Sequence, residues 1–367
     1  MKVERRVLTN FDWGFMGVVL LISAIGILNI YSAGHNLSVR GELLYTKQMY
    51  WLLVGVVLMV ITFSVDYHTI IRHAYLIYAV SAVLLFLASF YGNITHGSQR
   101  WLILWGFSFQ PSELMKLVLI IVLARYFSDN AQEGYTLRSL SIFLALVGAP
   151  FYMIVKQPDL GTALFLVILF LSIVVFVGVG WKILVSFVAG GTILAPLCWF
   201  LLRDYQKERI LTFLNPERDP LGTGYHIIQS IIAVGSGNVW GKGFLKGTQT
   251  QLKFLPEQQT DFAFSVFAEE WGFVGVLVLM FIFLVLILLG LKIVRNSRDL
   301  PGALLAFGVT MFAFWGICIN IGMVLGIFPV VGIPLPFFSY GGSSLVVLMI
   351  GVGLLLNVSM RRFILQP

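Results

Sequence analysis

The segment FAFSVFAEEWGFVGVLVLMFIFLVLILLGLK (262–292) decides the class of fold to which this chain belongs. It is almost entirely apolar and is longer than the roughly 20 residues that cross a bilayer as a helix. The excess length predicts a helix that tilts or whose ends protrude. Its only carboxylates, Glu269 and Glu270, lie inside the apolar run, where an ionised acid is costly. We therefore expect both to be buried polar partners that hold neighbouring helices in register.

Nine further apolar runs flank this segment, at approximately 12–33, 48–65, 71–91, 111–127, 138–156, 160–180, 182–202, 302–327 and 336–360. Of the 367 residues, 59% are hydrophobic and 11% are charged, whereas about a quarter are charged in a soluble domain. No strand pattern competes, and helices satisfy their own backbone hydrogen bonds in lipid. The sequence predicts an all-α polytopic membrane protein of about ten transmembrane helices, forming a single integral membrane domain over residues 1–367.

One long connection, at about 203–261, joins the seventh and eighth predicted helices. It contains GYHIIQSIIAVGSG (224–237), whose apolar spacing predicts a short helix in the membrane interface. The glycine-rich stretch GSGNVWGKGF (235–244) superficially resembles a phosphate loop, but it has Ser236 and Gly243 where that motif needs Gly and then Ser or Thr. The histidines and cysteines show no metal-binding spacing, so a zinc site is not expected.

The charges of the loops predict the orientation in the membrane. With both termini in the cytoplasm, the short inner segments contain more Lys and Arg than the short outer segments. Most acids then lie on or toward the outer side, which predicts a polar, ionisable site at the outer membrane surface. The formal charge of +7 suits anionic headgroups or a phosphate-bearing substrate, and no nucleic acid partner is expected.

The motif QPSELMK (110–116) supplies the first candidate site residues. Glu113 and Lys116 are three residues apart on one helix face, so they can pair and hold each other ionised. Alternatively, Glu113 closes a capping box with Gln110. Arg100, in the preceding loop, lies near the same surface and is a candidate only together with this pair.

Two further acidic motifs stand at helix starts. In QPDLG (157–161), Asp159 fits the position of a helix N-cap. In PEQQTDF (256–262), Glu257 and Asp261 precede the long apolar segment, and Thr260 or Asp261 can cap its first turn. Carboxylates can act as a general base, and cations can stabilise an anionic leaving group. From the residues alone, the site suits an enzyme acting on a lipid-linked substrate or a transporter.

Six stretches together closely resemble the SEDS family (shape, elongation, division and sporulation proteins). They are RWLILWGFSFQPSELMK (100–116), QPDLGTA (157–163), DPLGTGYHIIQS (219–230), GSGNVWGKGF (235–244), GTQTQLKFLPEQQTDFAFSVFAEEWG (247–272) and NIGMVLGIFPVVGIPLPFFSYGGSS (320–344). The similarity spans nearly the whole chain. Within the family, the chain looks most like the rod-shape branch, with the division and sporulation branches as alternatives.

The resemblance implies a peptidoglycan glycosyltransferase that polymerises lipid II during cell elongation, with inversion and release of undecaprenyl diphosphate. Asp261 then matches the base on the acceptor hydroxyl. The residues that match substrate-binding positions are Arg100, Glu113, Lys116, Asp159 and Glu257, with Arg100 expected near the diphosphate. A lipid II flippase and a scaffold that recruits a wall synthase remain alternatives.

The resemblance also implies partners and a location. The expected partners are lipid II, a class B penicillin-binding protein with transpeptidase activity and other membrane proteins of the elongation complex. It is compatible with a divalent cation, Mg²⁺ or Mn²⁺, and with no organic cofactor. The expected location is the bacterial cytoplasmic membrane, with the active site on its outer face.

Overall fold

The computed structural model describes residues 11–35, 39–95, 98–104, 107–131, 137–180, 185, 189–190, 200, 204–219, 222–252 and 254–362. Most of these residues are helical. The helices are α1 (Trp13–Gly34), α2 (Val39–Ser64), α3 (Tyr67–Arg72), α4 (Ala74–Tyr91), α5 (Pro111–Asp129), α6 (Leu137–Lys156), α7 (Leu160–Val177), α8 (Asp204–Leu214), α9 (Thr223–Ser236), α10 (Thr248–Gln251), α11 (Ala263–Arg295), α12 (Leu300–Val324) and α13 (Gly342–Arg361). A 3-10 turn, Pro216–Arg218, links α8 to α9.

The predicted all-α membrane fold is confirmed. Within the described ranges, seven helices are long and apolar enough to cross a bilayer, namely α1, α2 from Leu44 onward, α4, α7, α11, α12 and α13. Helices α5 and α6 occupy two more of the predicted runs. The seventh predicted run, 182–202, lies almost wholly outside the described residues.

Helix α5 lies at the centre of the bundle, between α4, α7, α12 and α13. Most of its side chains are buried, including Glu113 and Lys116. A helix enclosed by other helices tolerates charged residues that pair inside the bundle, whereas a lipid-facing helix does not. This position explains why α5 is less apolar than its neighbours although it runs through the middle of the protein.

A small antiparallel sheet joins α4 to α5. Its strands are β1 (Asn93–Thr95), β2 (Ser98–Leu104) and β3 (Phe107–Phe109), and β2 pairs with both of the others. These strands were not predicted from the sequence, because two of them are only three residues long. The sheet carries Trp101 and Ser108 to the start of α5.

Helix α11 is broken at Gly272, whose φ of 64° and ψ of −166° are not helical. The loop segment 238–243 completes the interrupted backbone hydrogen bonds. The amides of Lys242 and Gly243 donate to the carbonyls of Glu269 (3.0 Å) and Glu270 (2.9 Å), and those of Phe273 and Val274 donate to Asn238 (2.9 Å) and Val239 (3.1 Å). The excess length of the predicted span therefore belongs to a separate first segment, 263–271, and residues 273–295 alone are long enough to cross the bilayer.

Helix α9 confirms the short amphipathic helix predicted in the long connection. Ile227, Ser230 and Ala233 are buried, whereas Ile231 and Ile232 are exposed. The Ser230 hydroxyl bridges to the Ser265 hydroxyl (2.8 Å) and donates to the carbonyl of Val324 (2.7 Å). Helix α9 is therefore fixed against the first segment of α11 and the end of α12.

Candidate functional site

A cavity of about 850 Å³ lies where the N-terminal ends of α5, α7, α11 and α13 converge. This volume is typical of a site for a small molecule or part of a larger one. Six acids line it, Glu113, Asp159, Glu208, Asp219, Glu257 and Asp261. Four of the predicted site residues are thus brought to one cavity although they are distant in sequence.

Glu113 and Lys116 form the predicted pair. The Lys116 ammonium lies 2.6 Å from Glu113 Oε1 and over the rings of Phe165 and Phe312, at 4.8 and 5.2 Å from their centroids. Lys116 is only 1% exposed and is not among the cavity-lining residues. Glu113 Oε2 is buried and has no hydrogen-bond partner within the described part of the chain. Glu113 therefore faces the cavity, with Lys116 behind it as counter-ion.

The capping box expected as the alternative for Glu113 is wrong. Gln110 occupies the N-cap position but makes no side-chain cap, and its amide donates to the Ser343 hydroxyl instead (3.2 Å). The Gln110 side-chain amide donates to Asp159 Oδ2 (3.2 Å). Gln110 thus links three of the helix starts around the cavity.

Asp159 caps α7, as predicted. Its carboxylate accepts from the amide and the hydroxyl of Thr162, at 3.1 and 3.0 Å, and the residue is 3% exposed. Because Asp159 also lines the cavity, its role as the cap of α7 does not exclude contact with a bound molecule.

Asp261 and Glu257 lie on the turn that leads into α11. The residue at the N-cap of α11 is Phe262, which makes no side-chain cap bond, so neither Thr260 nor Asp261 occupies the N-cap position expected for one of them. Buried Asn320 donates to the carbonyls of Asp261 (2.9 Å) and Ile333 (2.8 Å). The backbone that carries the Asp261 carboxylate is therefore held beside the segment that leads into α13.

Four further cavity-lining residues were not predicted from the sequence. They are Glu208 and Arg209 of α8, Asp219, and His226 of α9. Burial lowers the pKa of His226, and Arg209 also lowers it, whereas Glu257 and Asp219 act to raise it. The motif DPLGTGYHIIQS contains Asp219 and His226, but only folding of the long connection brings them to the cavity that Asp261 lines.

The remaining predicted residues are Arg100, Glu269 and Glu270. Arg100 is on strand β2, and its side chain lies outside the described residues. Glu269 and Glu270 are almost completely buried and are not cavity-lining residues. Glu269 contacts Lys242 at 2.7 Å, and Glu270 accepts hydrogen bonds from Ser32 of α1 and from the amide of Leu245. Their contacts support the structural role expected for them.

The cavity combines carboxylates with the N-terminal ends of four helices. Helix N-termini favour anions, so the site can accept a phosphate group although acids dominate its lining. In the described part of the chain, no three His, Cys, Asp or Glu side chains come close enough to hold a metal ion on their own. An ionised carboxylate beside an anion-accepting region can serve as a general base in a group transfer.

Comparison with known proteins places the chain in context. The model of the FtsW/RodA/SpoVE family, described as cell cycle proteins, matches residues 8–363. The peptidoglycan glycosyltransferase MrdB of Escherichia coli K12 is 41% identical over 85% of this chain and 84% of its own length. The peptidoglycan glycosyltransferase RodA of Treponema pallidum is 34% identical over 97% of this chain and 99% of its own. A solved peptidoglycan synthase complex, described as coordinating polymerization and crosslinking, contains a chain with a TM-score of 0.82 and 31% identity, covering 96% of this chain and 98% of that one.

Proposed function

The chain belongs to the FtsW/RodA/SpoVE family and is a peptidoglycan glycosyltransferase, and we propose that it polymerises lipid II in the cavity lined by Asp261. The observation that carries this proposal is the convergence of Asp261, Glu113 and Asp159 on one cavity at the N-terminal ends of four helices. Five of the six cavity-lining acids, all except Glu208, lie in the motifs on which the family resemblance rests.

In the proposed reaction, Asp261 removes the proton from the 4-hydroxyl of an acceptor lipid II. The acceptor oxygen forms a bond to the anomeric carbon of the growing chain, and the bond from that carbon to the diphosphate breaks. Undecaprenyl diphosphate leaves with the bonding electron pair. Because the anomeric centre is inverted in one displacement, a single base suffices and no second catalytic carboxylate is needed. A positioned base contributes about 10²–10⁴-fold to such a rate.

The remaining predicted residues have binding roles in this proposal. Glu113 and Asp159 contact the substrate from the helix ends, Lys116 acts through Glu113, and Glu257 lies on the same turn as Asp261. Arg100 is assigned to the diphosphate on the strength of the family resemblance.

We propose that a divalent cation, Mg²⁺ or Mn²⁺, binds jointly to the protein and the substrate. The described residues do not supply a complete protein site, but Mg²⁺ is commonly held by one or two carboxylates together with substrate phosphates. One or two of the cavity acids would hold the ion, which would neutralise charge on the diphosphate. Polymerisation should then stop on addition of EDTA and resume with Mg²⁺ or Mn²⁺; full activity in EDTA would contradict this proposal.

The protein is a multi-pass membrane protein. We propose that both termini are cytoplasmic and that the cavity opens to the outer face, since the loop charges favour this orientation. We also propose that it works with a class B penicillin-binding protein, because the solved synthase complex contains a chain of the same fold. Other membrane proteins of the elongation complex are further proposed partners.

The enzymatic proposal is tested with purified protein and labelled lipid II. The expected result is glycan strands and released undecaprenyl diphosphate, both dependent on the protein. Movement of lipid II across vesicle membranes without any polymer would favour a flippase instead. A protein that only recruits a partner enzyme would yield neither result by itself.

A further inference from the structure

The carboxylate of Glu269 is bound by one short loop. Glu269 is 0% exposed, and its Oε1 accepts from the Lys242 ammonium (2.7 Å), the Gln249 amide (2.9 Å) and the Thr248 hydroxyl (3.2 Å). Its Oε2 accepts from the amide (3.3 Å) and the hydroxyl (3.1 Å) of Thr250. A buried carboxylate with five such contacts fixes the loop that surrounds it.

The contacts between Glu269 and Thr250 join the two ends of one segment of the chain. Thr250 stands at one end of the segment 250–269, and Glu269 stands at the other end. This segment carries Glu257 and Asp261. The contacts between Glu269 and Thr250 therefore close a loop whose middle presents the proposed base to the cavity.

The closure leaves no spare space. A Cβ atom added at Gly247 would lie 2.7 Å from Glu269 Oε2, so the loop backbone is packed directly against the carboxylate. The next residue, Glu270, accepts from the amide of Leu245 (3.2 Å) and from Ser32 of α1. The two carboxylates join the loop to both α11 and α1.

Lys242 is the ion-pair partner of Glu269. Its ammonium also donates to the hydroxyls of Ser236 (2.8 Å) and Thr248 (2.6 Å). Removing one partner of a buried pair leaves the other charge uncompensated, which is more harmful than losing an exposed pair. The position of the loop therefore depends on the charge of Lys242 as well as on its hydrogen bonds.

We propose that Glu269, paired with Lys242, is a positioning residue that closes the segment 250–269 and fixes Asp261 at the cavity. Glu269 itself does not touch the substrate. The proposal rests on the proposed role of Asp261 as base. Because misplacement by about 1 Å can cost a factor of 10² in rate, opening this loop lowers the turnover of bound substrate more than substrate binding.

The test compares Glu269→Gln, Lys242→Met and Lys242→Arg with the control Lys246→Met, which removes an exposed lysine from the same loop. In the intact protein with lipid II, Glu269→Gln and Lys242→Met should lower kcat by about 10–100-fold while KM stays within about twofold. Lys242→Arg should recover most of kcat, and Lys246→Met should behave as wild type. Wild-type kcat in both Glu269→Gln and Lys242→Met, or equal losses in the control, would overturn the proposal.

Hydrogen–deuterium exchange on the same proteins gives a readout independent of activity. Exchange should rise in residues 248–262 of Glu269→Gln and Lys242→Met, with little change in α12 and α13. Unchanged exchange there would also overturn the proposal. Asp261→Asn is assayed in parallel: if it stays active, the assignment of the base fails, whereas the exchange result still decides whether Glu269 closes the loop. Should Glu269→Gln not fold, Lys242→Met, altered at the partly exposed partner, decides the outcome.

Discussion

The pair of Glu113 and Lys116 is the clearest case of a charged residue that depends on one neighbour. We expect Lys116→Met to destabilise the protein by about 3–5 kcal/mol, because it leaves a buried carboxylate without its counter-ion. Thermal or denaturant-induced unfolding of the purified protein in detergent measures this loss of stability. The double variant Glu113→Gln/Lys116→Met should recover part of the loss, since no charge is then left unpaired.

A matched control lies on the same helix. Arg125 and Asp129 form a pair at 2.5 Å, but their side chains are 33% and 46% exposed. Arg125→Met should therefore cost no more than about 1 kcal/mol. If Lys116→Met were as mild as this control, Glu113 would not depend on the ammonium.

His226 predicts a dependence of stability on pH. Its pKa is lowered in the folded protein, chiefly by burial, so the unfolded chain binds the proton first as the pH falls below the ordinary histidine pKa of about 6.5. The contribution of His226 to stability is therefore present above that pH and is lost on acidification. The drop in Tm between about pH 7.5 and about pH 5.5 should be smaller in His226→Gln than in wild type.

The exposed His35 provides the control for this comparison. His35→Gln should show the same drop in Tm as wild type. An identical drop in His226→Gln would contradict the assignment of this pH dependence to His226.

Some site residues could be predicted from the sequence and others could not, because their contacts differ in how local they are. The pairing of Glu113 with Lys116 and the cap formed by Asp159 are local, so spacing along one helix predicted them. The position of Arg209, Asp219 and His226 at the cavity depends on how the long connection folds. No pattern in the neighbouring sequence predicts that these residues line the same cavity as Asp261.

At the scale of elements, the break in α11 resolves the problem of carboxylates inside an apolar run. Glu269 and Glu270 end the short first segment, where loop amides and Lys242 surround them, instead of lying within a continuous lipid-facing helix. The length of the apolar run predicted more residues than one span needs, but it did not predict that the helix breaks at Gly272. The segment 238–243 that completes the helix is distant in sequence, and its glycines were interpreted only as turns.

The geometry at the break makes Gly272 sensitive to substitution. A Cβ atom there would lie 2.2 Å from the amide nitrogen of Gly241, and the positive φ disfavours any other residue. We expect Gly272→Ala to destabilise the protein by more than about 1 kcal/mol, with loss of polymerising activity. Thermal unfolding and the lipid II assay measure the two effects.

Gly235 is the matched control, because an added Cβ meets no atom within 4 Å. It lies on the exposed side of α9, so Gly235→Ala should be neutral or slightly stabilising. Equal stability and activity of the two alanine variants would contradict the account of the helix break.

At the scale of the whole molecule, hydropathy alone predicted the membrane fold, because each span must be apolar and satisfy its own backbone. Hydropathy predicted less well the segments that do not contact lipid. Helix α5 carries charge because it is enclosed by other helices, and the short sheet at 93–109 contributes too few residues to produce a pattern.

The proposed orientation gives a prediction for the intact cell. A fluorescent protein fused after Pro367 should be bright, because the C-terminus is expected in the cytoplasm. Alkaline phosphatase inserted after Leu214, an exposed residue of the long connection, should be active outside. The reverse pattern would place the cavity on the cytoplasmic side and exclude polymerisation of wall material at the outer surface.

The central claim is that Asp261 acts as the base in a cavity built by the ends of four helices. The most direct test is the initial rate of lipid II polymerisation by purified protein with the proposed transpeptidase partner, comparing wild type, Asp261→Asn and Glu217→Gln. Glu217 is an exposed acid of the same long connection that does not line the cavity. We predict a loss of at least about 100-fold in Asp261→Asn, with wild-type thermal stability and partner binding, and no loss in Glu217→Gln. A folded Asp261→Asn protein that polymerises lipid II at the wild-type rate would contradict the claim.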